Sequence, residues 1–339
     1  MKTIFVVDDN NVNLLTADEA LSPFYRIFTL PSAKGMFELL AEEIIPDMIL
    51  LDILMPEIDG FEALILLKSN SKWGFIPVIF LTSRSDSSTE SIGFDLGAVD
   101  FISKPFSKPV LLNRIKTHLN IEDIILERTR TLSKIRNGIV FVLSSIVESR
   151  DKMTVGHIDR LTRYIKIFTD KMLERKVYYD EVSQWNLDMV LLAVRMHDIG
   201  KITVTDIILN KPGTLTTDEY TNVKSHMLAG EKIINNIISE AGDDLFLQYA
   251  KTFAAHHHER WDGTGCPCGL KGIDIPLLGR IMAVADVYDA LISDRPYKSA
   301  FPHAHAVEAI RNGSGTQFDP ELVKIFLDNE QDFLYASIE

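Results

Sequence analysis

Four short apolar runs constrain the fold of the first third of the chain. They occupy residues 4–7, 48–51, 78–81 and 100–103. Amphipathic stretches lie between them, among them residues 11–22, 33–43 and 60–69. Apolar strands that alternate with amphipathic helices predict a doubly wound parallel sheet with right-handed crossovers. We therefore expect an α/β domain over residues 1–119.

Each of these runs ends in polar residues. Asp8 and Asp9 follow the first run, and Asp52, Thr82 and Lys104 follow the next three. Parallel strands place their carboxyl ends at one sheet edge, where such folds bind ligands. Three carboxylates there suit Mg²⁺, while the lysine and the hydroxyl suit an added phosphoryl group. Helix capping by aspartate would explain the polar residues at one of the four strand ends but not at all four.

These residues resemble the receiver domain of bacterial two-component response regulators. The motifs are Val7-Asp8-Asp9-Asn10, Leu51-Asp52-Ile53-Leu54-Met55-Pro56 with Asp59-Gly60, Leu81-Thr82-Ser83 and Ser103-Lys104-Pro105-Phe106. The resemblance implies phosphorylation of Asp52 by a cognate histidine kinase. It also implies that Mg²⁺ is held by Asp9, Asp52 and a backbone carbonyl, with Asp8 as the third carboxylate of this magnesium site. It also gives Thr82 and Phe101 as switch residues, with Lys104 completing the set.

An apolar seam with heptad spacing follows this domain. Its members are Ile121, Ile125, Leu132, Ile135, Ile139, Val142 and Ile146, with Arg128 as the one interruption. Such a seam predicts a coiled-coil helix that forms a homodimer and transmits the receiver state. Alternatively, the seam packs inside its own chain, which suits the residues from Asn137 onward. We place the linker at residues 120–136 and a second domain at 137–339.

The second domain is predicted to be an all-α bundle. Apolar residues at spacings of three and four predict helices at 182–197, 218–238, 244–256 and 277–293. Thr216 and Glu219 match a capping box at the start of the second of these helices. Bundles of this kind build their sites from side chains that face the interior.

Imidazoles and carboxylates recur in this domain. The candidate ligands are His157, His197, Asp198, His226, His257, His258 and Asp286. Singly, each is as well explained by a core histidine or a hydrogen-bonded aspartate, but together they favour metal binding. Mixed nitrogen and oxygen ligands suit iron, manganese, zinc or nickel, and of these we expect iron or manganese. So many ligands exceed one tetrahedral ion, which predicts two metals bridged by Asp198.

Cations accompany the predicted metal ligands. Lys201 lies three residues after Asp198, and Arg295 and Lys298 follow Asp286. Two metal ions ~3.5–4 Å apart activate water and stabilise an in-line displacement at phosphorus. The three cations would contact the phosphate oxygens. The pattern therefore predicts hydrolysis of a phosphodiester or phosphomonoester.

Residues 140–327 resemble an HD-GYP domain, the subgroup of HD metal-dependent phosphohydrolases that cleaves cyclic di-GMP to pGpG or GMP. The motifs are His197-Asp198-Ile199-Gly200-Lys201, Leu209-Asn210-Lys211-Pro212-Gly213, His257-His258-Glu259-Arg260-Trp261, Val284-Ala285-Asp286-Val287 and Asp294-Arg295-Pro296-Tyr297-Lys298. The seven candidate ligands match the family's metal ligands. By the same resemblance Lys201 is the catalytic lysine, and Arg295 and Lys298 contact phosphate.

Two positions depart from the family pattern. Cys266 replaces the tyrosine of the Gly-Tyr-Pro motif and cannot stack on a base. Met153 stands where members with a third metal carry glutamate, so two metals are expected. His303 and His305 lack motif support and are predicted to be surface residues. One alternative is a catalytically weak or inactive HD-GYP protein that acts as a cyclic di-GMP sensor or as a protein-interaction module. The other is an HD hydrolase of another nucleotide.

Bulk properties exclude several classes. A formal net charge of −13 argues against binding to DNA or to anionic membranes. No apolar run approaches the ~18 residues of a membrane helix. Cys266 and Cys268 are the only cysteines and lie too close together to cross-link the fold, which suits a reducing compartment. We therefore expect a cytoplasmic protein.

Overall fold

The computed structural model of the chain describes residues 1–83, 87–150, 156–294 and 300–338, with backbone alone for 87–89. The chain divides into two compact units, Met1–Leu132 and Ser133–Glu339. Among the described helices, none combines the length and apolar character that crossing a bilayer requires.

The first unit is built on a five-stranded parallel sheet. Its strands are β1 (Thr3–Val7), β2 (Arg26–Leu30), β3 (Met48–Asp52), β4 (Val78–Thr82) and β5 (Asp100–Ser103), in the order β2-β1-β3-β4-β5. The helices that begin in this unit are α1 (Asn11–Leu21), α2 (Ala33–Ala41), α3 (Gly60–Ser69), α4 (Ser87–Asp95) and α5 (Lys108–Arg150). The predicted α/β class is confirmed. The sequence prediction missed β2, because this edge strand is a mixture of exposed and half-buried residues with no buried one.

Both faces of this sheet are covered. Alternate residues of β1, such as Phe5 and Ile4, contribute to separate apolar cores on opposite faces. The parallel register pairs Val7 with Leu51 and Thr82 with Ser103. This register brings the polar residues that follow the strands to one edge of the sheet.

Helix α5 is continuous through residue 132, where the two compact units divide. The predicted domain boundaries at 119 and 136 lie inside this helix and stay predictions. The seven apolar residues of the heptad seam are each 45–67% exposed. The alternative in which the seam packs inside its own chain is therefore wrong, including for Ile139, Val142 and Ile146. Val140 and Val147, on another face of α5, are buried in the core of the second unit, and Leu143 packs against that core.

The second unit is helical. Its helices are α6 (His157–Arg175), α7 (Tyr179–Val182), α8 (Leu187–Ala193), α9 (Asp206–Leu209), α10 (Thr217–Lys224), α11 (His226–Ala241), α12 (Leu245–His256), α13 (Leu277–Ile292), α14 (His303–Asn312), α15 (Pro320–Asp328) and α16 (Glu330–Ile338). Short 3₁₀ helices occupy Val194–Met196, Ile199–Thr203 and Gly272–Asp274. Residues of α6, α8, α12 and α13 form much of one apolar core.

Two predicted helices are divided in the structure. The helix expected at 182–197 ends at Val182 and restarts after Asn186, whose side chain caps α8. The helix expected at 218–238 is interrupted at Ser225, so that His226 opens α11 instead of lying two turns inside a helix. The predicted capping box of Thr216 and Glu219 is present.

Candidate metal centre

Six of the predicted ligands form two groups of three. His157, His197 and Asp286 offer ligand atoms within 4.8 Å of one another, and so do His226, His257 and His258. The members come from distant parts of the sequence and are placed by the starts or ends of helices α6, α11 and α12, a 3₁₀ helix and the middle of α13. Each group of three could hold one metal ion.

Asp198 lies between the two groups. Its Oδ2 atom is 3.1 Å from Nε2 of His197, in the first group. Its Oδ1 atom is 3.3 Å from Nε2 of His226 and 3.8 Å from Nε2 of His257, in the second. One carboxylate oxygen thus faces each group, which is the arrangement of a bridging ligand.

Hydrogen bonds within the chain orient three of the imidazoles. Nδ1 of His197 and of His226 lies 2.9 and 2.6 Å from the carbonyl oxygen three residues earlier. Nδ1 of His257 lies 2.8 Å from the carbonyl four residues earlier. Since a carbonyl only accepts, Nδ1 carries the proton and the lone pair of Nε2 is left for a metal.

His157 is oriented by a carboxylate. Its Nδ1 lies 2.7 Å from Oδ2 of Asp289, whose Oδ1 accepts from Nε of Arg160 at 2.7 Å. Burial alone would raise the pKa of Asp289, but hydrogen bonds from His157 and Arg160 lower it to about 2. Asp289 therefore remains a carboxylate at neutral pH. The sequence reasoning missed it, although it lies on α13 three residues after the predicted ligand Asp286.

Three buried polar atoms of this centre lack a hydrogen-bond partner. They are Nε2 of His157, Nε2 of His197 and Oδ1 of Asp198. Nearly all buried polar atoms in proteins are paired. Unpaired imidazole nitrogens beside an unpaired carboxylate oxygen form the donor set of a metal site, so these residues fit divalent transition metals.

Charges and burial favour the ligand forms of Asp198 and His257. Burial disfavours the Asp198 carboxylate, but Lys201 and His197 more than offset it and hold the pKa of Asp198 well below its usual range. The Lys201 Nζ atom lies 2.8 Å from Oδ2 of Asp198. Burial, with a further contribution from His258, lowers the pKa of His257 well below its usual value. His257 is thus neutral, as a metal ligand requires.

Gly200 allows the segment that follows Asp198 to pack against α11. A Cβ atom at this position would lie 1.8 Å from the carbonyl oxygen of His226 and 2.5 Å from the amide nitrogen of Gly230. These atoms belong to the backbone and cannot move aside as a flexible side chain would. The close approach of the backbones brings Asp198 and Lys201 beside the second group.

The loop that carries Cys266 is tied to the second group. The Cys266 amide donates to the carbonyl oxygen of His258 at 3.2 Å. The buried carboxylate of Glu259 accepts from the amides of Cys268 and Leu270 at 2.7 and 3.1 Å. Burial raises the pKa of the Cys266 thiol, so it remains protonated at neutral pH. Glu259 lies within a sequence motif, but the motif alone did not predict its role.

Other predicted residues fall into three classes. Arg295, Lys298 and Met153 lie outside the described residues. His305 is exposed, as predicted, and His256, which lies one residue before the expected ligands, belongs to neither group. The prediction for His303 is wrong. This residue is half-buried, because it opens α14 against α13 and places Nδ1 2.9 Å from the hydroxyl of Tyr288.

The first unit holds a carboxylate group of its own. Oxygens of Asp8, Asp9 and Asp52 lie within 4.8 Å of one another. The Lys104 Nζ atom lies 2.6 Å from Oδ2 of Asp8 and 2.8 Å from Oδ2 of Asp52. Burial outweighs the effect of Lys104 and raises the pKa of Asp52. The arrangement suits a small divalent cation with oxygen ligands, such as Mg²⁺.

The predicted switch residues lie on β4 and β5 or directly after β5. Thr82 is buried at the end of β4. Phe101 is buried on the neighbouring strand, where its ring centre lies 5.4 Å from that of Phe80 and 5.0 Å from that of Phe94. Lys104 reaches the carboxylates from the segment after β5.

Two family models match the chain. The response regulator receiver domain matches residues 4–116, and the HD domain matches residues 142–322. The chain is a response regulator with an HD domain. The resemblances to these families are thereby confirmed, and the HD domain supports phosphohydrolase activity.

Relatives of this response regulator carry names that refer to cyclic dinucleotides. A "Probable cyclic di-GMP phosphodiesterase" of Vibrio cholerae is 40% identical over 98% of this chain and 78% of its own length. The "Cyclic di-GMP phosphodiesterase response regulator RpfG" of Xanthomonas campestris is 33% identical over 83% of this chain and 75% of its own. The "3'3'-cGAMP-specific phosphodiesterase 2" of Vibrio cholerae is 35% identical over 58% of this chain and 35% of its own.

Proposed function

We propose that this protein hydrolyses cyclic di-GMP to pGpG or GMP at a dimetal centre in its HD domain, under the control of phosphorylation at Asp52. The observation that carries the proposal is the Asp198 carboxylate, which faces one group of three ligands with each oxygen and has Lys201 at 2.8 Å. The names of the two relatives that cover most of the chain support the substrate.

Two divalent transition metals, iron or manganese, fit the two groups. One would be held by His157, His197 and Asp286, the other by His226, His257 and His258, with Asp198 shared between them. When bound, such a pair supplies an activated water and stabilises the oxygens of an in-line displacement at phosphorus.

The side chains of the chain itself prepare this site. Asp198 stays ionised, so that both of its oxygens remain available as ligands. Lys201 lies at the same carboxylate and is placed to neutralise negative charge on a reacting phosphate. We assign Arg295 and Lys298 to further phosphate oxygens on the basis of their motif.

Control by the receiver would begin at Asp52. A phosphoryl group transferred there from a histidine kinase would meet Lys104, which already lies 2.8 Å from the carboxylate. Mg²⁺ would be held by Asp8, Asp9 and Asp52. The switch residues Thr82 and Phe101 would then rearrange in response to the added charge.

The exposed heptad seam of α5 supports a homodimer. Its apolar side chains lie in water in the single chain, whereas a second copy of the helix would bury them. We propose that the dimer forms through this part of α5.

Cys266 favours a second candidate, a sensor or interaction module that binds cyclic di-GMP with little turnover. The thiol offers neither a ring for base stacking nor a phenol. The relative named for 3'3'-cGAMP supports a third candidate, hydrolysis of another cyclic dinucleotide.

Turnover assays distinguish these candidates. The protein would be loaded anaerobically with Fe²⁺ or Mn²⁺ and incubated separately with cyclic di-GMP and 3'3'-cGAMP, followed by chromatography of the products. We expect cyclic di-GMP to be consumed by the wild type and not by Asp198→Ala, and metal removal by a chelator to stop the reaction. Binding of cyclic di-GMP with no turnover above the Asp198→Ala level would favour the sensor. A gain of turnover in Cys266→Tyr would show that the missing tyrosine causes the low activity.

A further inference from the structure

The last residue of α5, Arg150, is bonded to the segment that carries Lys201. Its guanidinium donates to the carbonyl oxygens of Ile202 and Val204 at 3.0 and 2.8 Å, with a longer contact of 3.5 Å to that of Lys201. Its Nε donates to Asp206 at 2.9 Å. A planar guanidinium can hold several acceptors in one fixed arrangement, which an ammonium cannot. Arg150 therefore fixes the backbone of residues 201–204 relative to the end of α5.

Two further contacts join the same turn of α5 to segments beside the candidate centre. The carbonyl oxygen of Arg150 accepts from Nδ2 of Asn210 at 2.8 Å. Glu148 accepts at 3.2 Å from the amide of Ile158, the residue after the ligand His157. The end of α5 thus contacts the elements that carry ligands of the first group and the lysine beside Asp198.

Close packing does not fill all the space between α5 and the centre. A cavity of about 10 Å³ lies between Ser144, Val147 and Glu148 of α5 and the ligand residues His157 and Asp198. This volume is near the minimum for one water molecule.

We propose that Arg150 is a positioning residue through which α5 sets the place of Lys201 against Asp198. Because α5 begins at Lys108 in the receiver unit and ends at Arg150, a displacement of the helix on phosphorylation would move the bonded backbone of residues 201–204. This inference rests on the proposed function and identifies Arg150 as the point at which that function is regulated.

The test compares the full-length wild type, Arg150→Ala, Arg150→Lys and the matched control Arg130→Ala, whose arginine is an exposed residue of α5. Each is loaded with Mn²⁺ and studied with and without beryllofluoride as a phosphoryl mimic at Asp52. Hydrogen exchange of the amides of residues 199–206, metal content per chain and turnover of cyclic di-GMP are measured. Circular dichroism establishes that each variant is folded.

In the wild type and Arg130→Ala, beryllofluoride is expected to change both the amide exchange and the turnover. In Arg150→Ala the exchange should be about tenfold faster in both states, because charged hydrogen bonds are lost. Its ratio of turnover with and without beryllofluoride should fall to about 1 while bound metal is retained. Arg150→Lys can hold fewer of the carbonyls. Its amide exchange and its turnover ratio should therefore lie between those of the wild type and of Arg150→Ala.

Two results would overturn the proposal. The first is an Arg150→Ala variant whose amide exchange and turnover ratio equal those of the wild type. The second is a wild type in which beryllofluoride does not change the amide exchange of residues 199–206. A wild type that hydrolyses nothing, yet shows a beryllofluoride effect on exchange that Arg150→Ala abolishes, would contradict the proposed function and support the role of Arg150.

Discussion

Four of the candidate metal ligands are held in place by partners that are not themselves ligands. His197, His226 and His257 use backbone carbonyls for this purpose, which the chain supplies automatically at a helix end. His157 depends instead on the single side chain of Asp289. A substitution of Asp289 alone could therefore weaken metal binding while every ligand is still present.

Asp289→Asn should therefore lower metal affinity. The substitution removes the charge that holds His157 and Arg160, and losses of this kind typically weaken metal binding about 10–100-fold. Competition with a chromogenic chelator would measure the change. The exposed Asp188→Asn makes the same chemical change away from the site and should leave affinity unaltered. Equal affinities for the two variants would show that Asp289 does not orient a ligand.

The carboxylate of Asp100 predicts that the stability of the protein depends on pH. Burial alone would raise the pKa of Asp100, but hydrogen bonds from His118, the Phe101 amide and Arg114 more than offset it and lower the pKa. Its contribution to stability is therefore present above the unfolded value near 4 and is lost as pH falls through the folded value. Asp100→Asn should destabilise the protein at pH 7 by about 1 kcal/mol, a figure kept small because Arg114 is half exposed.

Urea denaturation at pH 7 and at pH 3 would test this expectation. The difference in unfolding free energy between Asp100→Asn and the wild type should shrink at pH 3. A difference that is the same at both values would show that the carboxylate charge contributes nothing.

Among the helices and strands, features encoded within a few neighbouring residues could be predicted better than features that depend on residues far apart in the chain. The capping box of Thr216 and Glu219 and the three buried strands β1, β3 and β4 are encoded within a few residues, so they could be predicted. The edge strand β2 lacks a continuous apolar run, and the break before α8 depends on a single capping residue, Asn186. The role of Asp289 could not be predicted, because its partner His157 lies 132 residues away.

The packing of the Ile199–Thr203 segment on α11 gives a prediction at the same scale. Gly200→Ala would place a methyl group 1.8 Å from a backbone oxygen, so the two elements must separate. We expect a loss of at least about 2–3 kcal/mol in unfolding free energy, with loss of bound metal. Gly138→Ala is the matched control, since a Cβ atom there would meet no atom within 4 Å apart from its own stretch of helix backbone. It should stabilise α5 by about 0.5–1 kcal/mol. Thermal unfolding and metal analysis of both variants would check this, and a metal-replete Gly200→Ala of wild-type stability would contradict it.

For the whole molecule, the seam of α5 is the feature that the single chain leaves unexplained. Seven apolar side chains at heptad spacing are exposed from Ile121 to Ile146. Burying one such side chain contributes about 1.5–3 kcal/mol, so exposing the whole seam to water in a monomer would be costly. A parallel copy of the helix would bury these side chains in one continuous interface, with Arg128 as its single charged position.

Leu132→Glu combined with Ile139→Glu should therefore abolish dimerisation. Two carboxylates from each chain would enter the seam and oppose those of the partner, at a cost in desolvation and repulsion. Sedimentation velocity over a range of concentrations should show a dimer for the wild type and for the off-seam control Arg130→Glu, and a monomer for the double variant. Metal content should be equal in all three, because the seam lies on a different face of α5 from Glu148 and Val147, which approach the centre. A monomeric wild type would refute the dimer, whereas a dimeric double variant would place the interface on another surface of the chain.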